Sequence, residues 1–213
     1  MSAVPANDYP VQFSVDYPER ELNRLTSAFR IIVAIPILIV IGALSNANWE
    51  WNSDGDATQL FVAGGTLLFF PTLLMIVFRQ KYPRWWFDFN LQLSRFGNRV
   101  AAYLALMRDE YPSTDEEQAV HLTLPYPDAP RELNRWLPLV KWLLAIPHYI
   151  VLVFLGIAAV VAVVIAWFAI LFTGRYPRGI FDFVEGVLRW QNRVTAYAFT
   201  LVTDAYPPFR LSA

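Results

Sequence analysis

The sequence predicts a mainly α-helical integral membrane protein. Four transmembrane helices form two hairpin repeats, each followed by a cytoplasmic amphipathic helix, with a small cytoplasmic β element. Three observations carry this prediction. Apolar residues make up 56% of the 213 residues and charged residues only 16%, against about 25% charged in an ordinary soluble domain. The chain repeats itself: Arg20-Glu21-Leu22-Asn23-Arg24 returns as Arg131-Glu132-Leu133-Asn134-Arg135, and Ala34-Ile35-Pro36 as Ala145-Ile146-Pro147. Finally, all 17 Lys and Arg fall outside the expected outer loops, which under the positive-inside rule puts both termini and the central segment in the cytoplasm.

The expected repeats are residues 1–112 and 113–213. Repeat 1 opens with Val11, Phe13 and Val15 alternating with polar residues, and repeat 2 with Val120, Leu122 and Leu124. Alternation with period two predicts half-buried strands, which would pair, with Phe209 to Leu211 as a possible third. An apolar hairpin follows. In repeat 1 its spans are 26–44 and 60–78, each near the roughly 20 residues that cross about 30 Å of hydrocarbon. Between them, residues 45–59 hold Glu50, Asp54, Asp56 and three asparagines, too many polar groups to remain in lipid. In repeat 2 the spans are 136–155 and 157–173, with a tight turn near Gly156; the alternative is a hairpin that enters the membrane and returns without exposing a loop. The sequence offset between repeats falls from 111 to 94 across the hairpin, so repeat 2 lacks 17 residues of that outer loop. Arg30 and Lys141 open the first span of each hairpin and are expected to snorkel towards the inner face. Pro36 and Pro147 recur and should loosen those spans. Because residues 1–25 are polar, no cleaved signal is expected, and the first apolar helix would serve as the insertion signal.

Seven of the ten tyrosines directly precede proline. The residue before proline is pushed out of the helical region, while proline suits a helix start, so Tyr-Pro marks element boundaries. After Tyr82-Pro83 and Tyr176-Pro177 come amphipathic helices, 84–107 and 178–202. Phe89, Leu93, Phe96, Val100, Tyr103 and Met107 repeat at spacings of four and three, matched by Phe183, Val187, Trp190, Val194, Tyr197 and Leu201. That is the stripe of a helix buried on one side. It fits a helix lying in the membrane plane with arginines at phosphate level, and equally one packed on its twin.

Repeat 2 also carries longer strings: Trp142-Leu143-Leu144-Ala145-Ile146-Pro147-His148-Tyr149, Trp167-Phe168-Ala169-Ile170-Leu171-Phe172-Thr173-Gly174-Arg175-Tyr176-Pro177, Phe181-Asp182-Phe183 and Tyr206-Pro207-Pro208-Phe209. Through them residues 124–209 resemble domain-of-unknown-function family 4389 of bacterial membrane proteins, and repeat 1 looks like a diverged second copy. The resemblance implies membrane location and tandem organisation and brings no active site.

No catalytic constellation emerges. There is no cysteine, which excludes disulfides and thiolate chemistry, and no glycine-rich phosphate loop, zinc spacing or nucleophile elbow is present. No catalytic residue, metal or cofactor is assigned. Arg95, Arg99, Arg189 and Arg193, with Asn98 and Asn192, are candidates for lipid-headgroup binding, since basic residues at the inner interface attract anionic lipids. His148, Asp88 and Asp182 are candidate polar positions. Each aspartate follows an arginine by four residues, which an intrahelical ion pair explains. The expectation is a non-enzymatic accessory or scaffold protein of the bacterial inner membrane. Its partners would be membrane lipids and another membrane protein or a second copy, without nucleic acid. Alternatives are a membrane shaper analogous to the reticulons, and a lipid-processing enzyme or small transporter.

Overall fold

The computed structural model describes residues 9–44, 62–114 and 116–212. Its elements run β1 (Gln12–Val15), α1 (Arg24–Ala28), α2 (Arg30–Leu44), α3 (Val62–Arg79), α4 (Arg84–Leu104), β2 (Val120–Thr123), α5 (Ala129–Glu132), α6 (Pro138–Leu144), α7 (Ile146–Thr173) and α8 (Arg178–Ala198). The chain is thus mainly helical, as its composition predicts. The expected outer loop 45–59 lies outside the described residues.

The two alternating segments do pair. β1 and β2 are antiparallel, with Phe13 opposite Leu122 and Val15 opposite Val120. Their apolar residues are buried because α4 and α8 cover that face of the ribbon, which would be marginal alone. Phe209 to Leu211 forms no third strand; Leu211 instead lies against Gly186 of α8.

Both long amphipathic helices begin where Tyr-Pro predicts. Pro83 and Pro177 stand in extended backbone as the caps, at φ −60°, ψ 135° and φ −62°, ψ 124°. Apart from the exposed Phe89, their apolar stripes are packed against the rest of the protein. Phe96, Val100 and Tyr103 of α4 meet Ala34 and Ile37 of α2. Trp190, Val194 and Tyr197 of α8 meet Ala145, Tyr149 and Leu152 at the start of α7. The polar flanks of α4 and α8 turn to the ribbon. Intramolecular packing has therefore taken the stripe that in-plane membrane insertion would have used.

The largest departure from expectation lies in repeat 2. There is no turn near Gly156, because α7 runs unbroken for 28 residues. The physical reason is backbone polarity. A turn at Gly156 would expose N–H and C=O groups among purely apolar side chains, whereas a continuous helix satisfies them all. One interior glycine costs a helix only about 1 kcal/mol. Pro147 lies in the first turn of α7, which begins directly after Ala145, where the expected span 136–155 is interrupted between α6 and α7, while Pro36 lies inside α2. Among the described residues, α7 is the one helix long and apolar enough to cross a membrane. The described apolar parts of α2 and α3 are shorter, Arg30–Val40 and Phe69–Arg79.

A left-handed glycine ends α7: Gly174 has φ 74° and its N–H donates to the Ile170 carbonyl. Its own carbonyl accepts from the Leu22 N–H at 2.8 Å. A Cβ at this position would approach Glu21 Oε2 to 3.2 Å. Gly174→Ala is expected to destabilise the protein by about 1–2 kcal/mol, the cost of left-handed backbone for an L-residue. Thermal unfolding of the detergent-solubilised variant checks this.

Candidate functional site

The sequence repeat reappears as matched contacts, and the most polar of these form two buried ion-pair nodes. At the first, the Arg30 guanidinium, 3% exposed, pairs with Asp109 and lies 4.1 Å over the Tyr103 ring. At the second, Lys141 Nζ, fully buried, stands 2.6 Å from Asp204 and 5.2 Å over the Tyr197 ring. Each carboxylate also accepts a backbone N–H from an asparagine: Asn23 N–H to Asp109 at 2.7 Å and Asn134 N–H to Asp204 at 2.6 Å. Those asparagines in turn cap the following segment. Asn23 Oδ1 accepts from the Leu25 and Thr26 N–H groups, and Asn134 Oδ1 from those of Trp136 and Leu137. The nodes therefore lock the base of each apolar segment onto the polar layer. Arg30 and Lys141 are not extended towards the inner face but are buried against the carboxylates of Asp109 and Asp204. Burial pushes the Lys141 ammonium below its ordinary value, partly opposed by Asp204.

Other contacts are exchanged between the N-terminal and C-terminal halves of the chain. Tyr17 Oη donates to the Tyr176 carbonyl and Tyr126 Oη to that of Tyr82. Arg178 lies 4.5 Å over the Tyr17 ring, and Arg84 4.8 Å over Tyr126. Asn98 and Asn192 donate to each other's side-chain oxygen at 2.8 and 2.7 Å, at the midpoint of this exchange.

Four of the arginines singled out for headgroups are turned inward, as the polar flanks of α4 and α8 face the ribbon and its flanking segments. Arg95 Nε donates to the Leu122 carbonyl at 3.1 Å and Arg189 Nε to that of Phe13 at 2.9 Å. Arg99, 7% exposed, donates to the Ser113 carbonyl. Arg193 is fully buried over the Tyr9 ring and donates to the Arg210 carbonyl. These side chains stitch helices to the ribbon and to the chain segments beside it. Asp88 and Asp182 form the expected surface pairs with Arg84 and Arg178, at 3.3 and 3.2 Å. His148 is buried, stacked 4.0 Å from the Phe209 ring, and its Nδ1 accepts from Trp190 Nε1 at 3.1 Å. Its position is thus a packed aromatic cluster, away from Asp88 and Asp182.

One open cleft of about 870 Å³ lies beside the first node. It is lined by Arg20, Arg108 and Arg178 together with Asp16, Glu19, Asp109 and Glu110. Arg108 pairs with Glu110 at 2.7 Å, and its charge holds that carboxyl below the usual value despite the opposing effect of burial. Among the described residues no three of His, Asp and Glu converge as metal ligands.

Sequence reasoning missed Asp109 and Asp204. Their signal was present as a repeated Asp-x-Tyr-Pro, Asp109-Glu110-Tyr111-Pro112 and Asp204-Ala205-Tyr206-Pro207, of which only the Tyr-Pro half was used.

These features define a mainly helical protein with a small two-stranded ribbon and, among the described residues, one helix apolar and long enough for a membrane. Residues 136–210 match the family model described as a domain of unknown function (DUF4389). That stretch holds α6, α7, α8 and the second node. No curated protein and no solved structure matches the chain.

Proposed function

We propose that the chain is a non-enzymatic accessory or scaffold protein of a bacterial inner membrane, built from two copies of one unit. It is held by its apolar helices and binds lipid headgroups or a larger membrane complex. The observation that carries this reading is the exposed apolar surface of α2, α3, α6 and α7. Ile31, Phe78, Phe154 and Phe172 are 78%, 70%, 68% and 78% exposed, and surfaces of that extent mark membrane or protein contacts. Arginines sit at the ends of these helices: Arg24 before α2, Arg79 at the end of α3 and Arg175 just after α7. All three are exposed, so they, together with Arg84 and Arg178, take the headgroup role first assigned to the inward-facing arginines. The polar layer then faces the cytoplasm, in line with the positive-inside rule. The exchanged tyrosine and arginine contacts support the two-copy origin, because each recurs with the two repeats interchanged, and Asn98 and Asn192 pair corresponding positions directly.

Purification from native membranes in mild detergent tests the scaffold role. We expect the protein in the membrane fraction, with one partner at fixed stoichiometry. Recovery of the chain alone in every preparation would rule that role out.

A second reading, membrane shaping, is favoured by the one-sided placement of the apolar surface. An object with apolar helices on one side and a polar layer on the other acts as a wedge.

A further inference from the structure

α7 is long enough to cross a bilayer, yet both of its ends are tied to the same polar layer. At its N-terminal end, His148 accepts from Trp190 of α8 at 3.1 Å. Tyr206 Oη, from the segment after α8, donates to the Leu144 carbonyl at 3.2 Å. At its C-terminal end, the Gly174 carbonyl accepts from the Leu22 N–H at 2.8 Å, and Arg175 pairs with Glu21 at 3.7 Å. Trp167 Nε1 donates to the Ser27 carbonyl at 3.1 Å. The segments that receive these two ends belong together. Tyr9 Oη donates to the Ala205 carbonyl at 2.9 Å, and Arg189 joins α8 to Phe13 of β1. α8 therefore runs back antiparallel along α7, from Gly174 to the Ala145 end.

Exposure follows the same geometry. Along the whole of α7, Ile150, Phe154, Ile157, Val161, Phe168 and Phe172 form an exposed stripe, 50–78% accessible. Their spacing of three, four or seven residues keeps them on one side of a helix. On the opposite side Ala145, Leu152 and Leu155 pack on α8, while Ala159, Ala166 and Ile170 belong to the main core. At 1.5 Å per residue α7 is about 42 Å long. Placing its ends on opposite sides of a bilayer would carry α8 into hydrocarbon beside it. Arg189 with its partner Glu185, Asn192 and the buried Arg193 would go with it, and ionic groups at that depth are costly even when paired.

We infer that α7 does not cross the bilayer but lies in the plane of a single anionic leaflet, its exposed stripe among the acyl chains. This rests on the membrane reading above and settles how the protein sits in that membrane. The occupant of the stripe is lipid, on grounds of charge and composition. Exposed Arg175 and Arg178 flank one end and exposed Trp136 and Trp142 the other, residues suited to the headgroup zone. A helix lying this way rests about 5–10 Å below the headgroups.

The absence of native cysteine makes single-cysteine labelling of the full chain direct. Phe154→Cys, Val161→Cys and Phe168→Cys alter only exposed stripe positions, so folding should be retained. Each carries an environment-sensitive fluorophore whose depth is read by spin-labelled lipids in phosphatidylglycerol–phosphatidylethanolamine vesicles. Ile146→Cys and Thr173→Cys report, with a membrane-impermeant maleimide, which side each helix end faces. Three equal depths and labelling of both ends from one side are expected. Val161 at the midplane, with Phe154 and Phe168 about 10 Å shallower and the two ends labelled from opposite sides, would overturn the inference while leaving the membrane reading intact. Equal depths with fluorophores shielded from every lipid would assign the stripe to a protein partner and overturn it too. Labels that remain in water, with no vesicle association, would remove the membrane reading and this inference together.

Discussion

Replacing Asp204 with alanine is expected to destabilise the protein by about 3–5 kcal/mol, the loss typical of breaking a buried ion pair from one side. The size follows from what remains. Lys141 is fully buried, and without Asp204 its ammonium keeps only the Thr203 carbonyl, at 2.7 Å, and the face of the Tyr197 ring. The Asn134 N–H loses its acceptor as well, freeing the cap that starts the second apolar segment. Lys141→Met should cost less, because the Asp204 side chain is 21% exposed and keeps the Asn134 N–H. The double variant should recover much of the loss, since well-packed apolar replacements of a buried pair are often neutral. A double-mutant cycle on thermal unfolding in detergent measures the coupling. The pH dependence has a definite sign. Lys141 titrates below its ordinary 10.5 when folded, so the unfolded chain binds its proton more readily and stability from this group rises with pH. Asp204 is the group that holds the Lys141 value up, so Asp204→Ala widens the gap. The deficit of Asp204→Ala should therefore be larger at pH 7 than at pH 9. An equal deficit at both pH values would show that Lys141 is not the group responsible. Asp109→Ala, which strands the buried Arg30, should show a similar loss without that pH dependence in the same range, because arginine stays charged.

Why the aspartates escaped a reading of the sequence is a matter of chain separation. Asp109 stands 79 residues from Arg30, so no helical periodicity or local motif links them. Local rules succeeded where the cause was local. Tyr82-Pro83 and Tyr176-Pro177 start α4 and α8 because proline restricts its own neighbourhood, and Arg84–Asp88 pairs because four residues make one helical turn. Alternation in Val11, Phe13 and Val15 marked a strand because one side of the ribbon had to be covered. The arginines at 95, 99, 189 and 193 were legible as the polar flank of an amphipathic helix. Whether that flank meets phosphates or backbone carbonyls depends on the ribbon, which approaches from 27 residues away for Arg95 and 176 for Arg189. The turn near Gly156 failed for a related reason. Hydropathy counts apolar residues but does not say whether 28 of them fold back, cross, or lie along a neighbour. For α7 the decision comes from Trp190, Tyr206 and Leu22, all outside the apolar run.

That dependence on α8 makes the exposed side of α7 the place where a small change should have the largest effect on membrane attachment. Val161 and Val164 are 56% and 49% exposed at the middle of the stripe, so aspartate at either leaves the packing on α8 untouched. An aspartate in the apolar zone costs about 2.5–3.5 kcal/mol where a valine was favourable. Val161→Asp should therefore weaken binding to liposomes about a hundredfold, and Val161→Asp with Val164→Asp should weaken it by about four orders of magnitude, since 1.4 kcal/mol is tenfold. Flotation of cell-free product with phosphatidylglycerol-containing liposomes gives the readout, with circular dichroism confirming that the helices persist. The same variants test the wedge. If shaping follows from inserting the stripe into one leaflet, liposome tubulation should disappear in step with binding. A double variant that floats and tubulates like the parent would place the stripe away from lipid and leave α2 and α3 as the attachment. Retained flotation with lost tubulation would separate the two, making α7 the wedge and the other apolar helices the anchor.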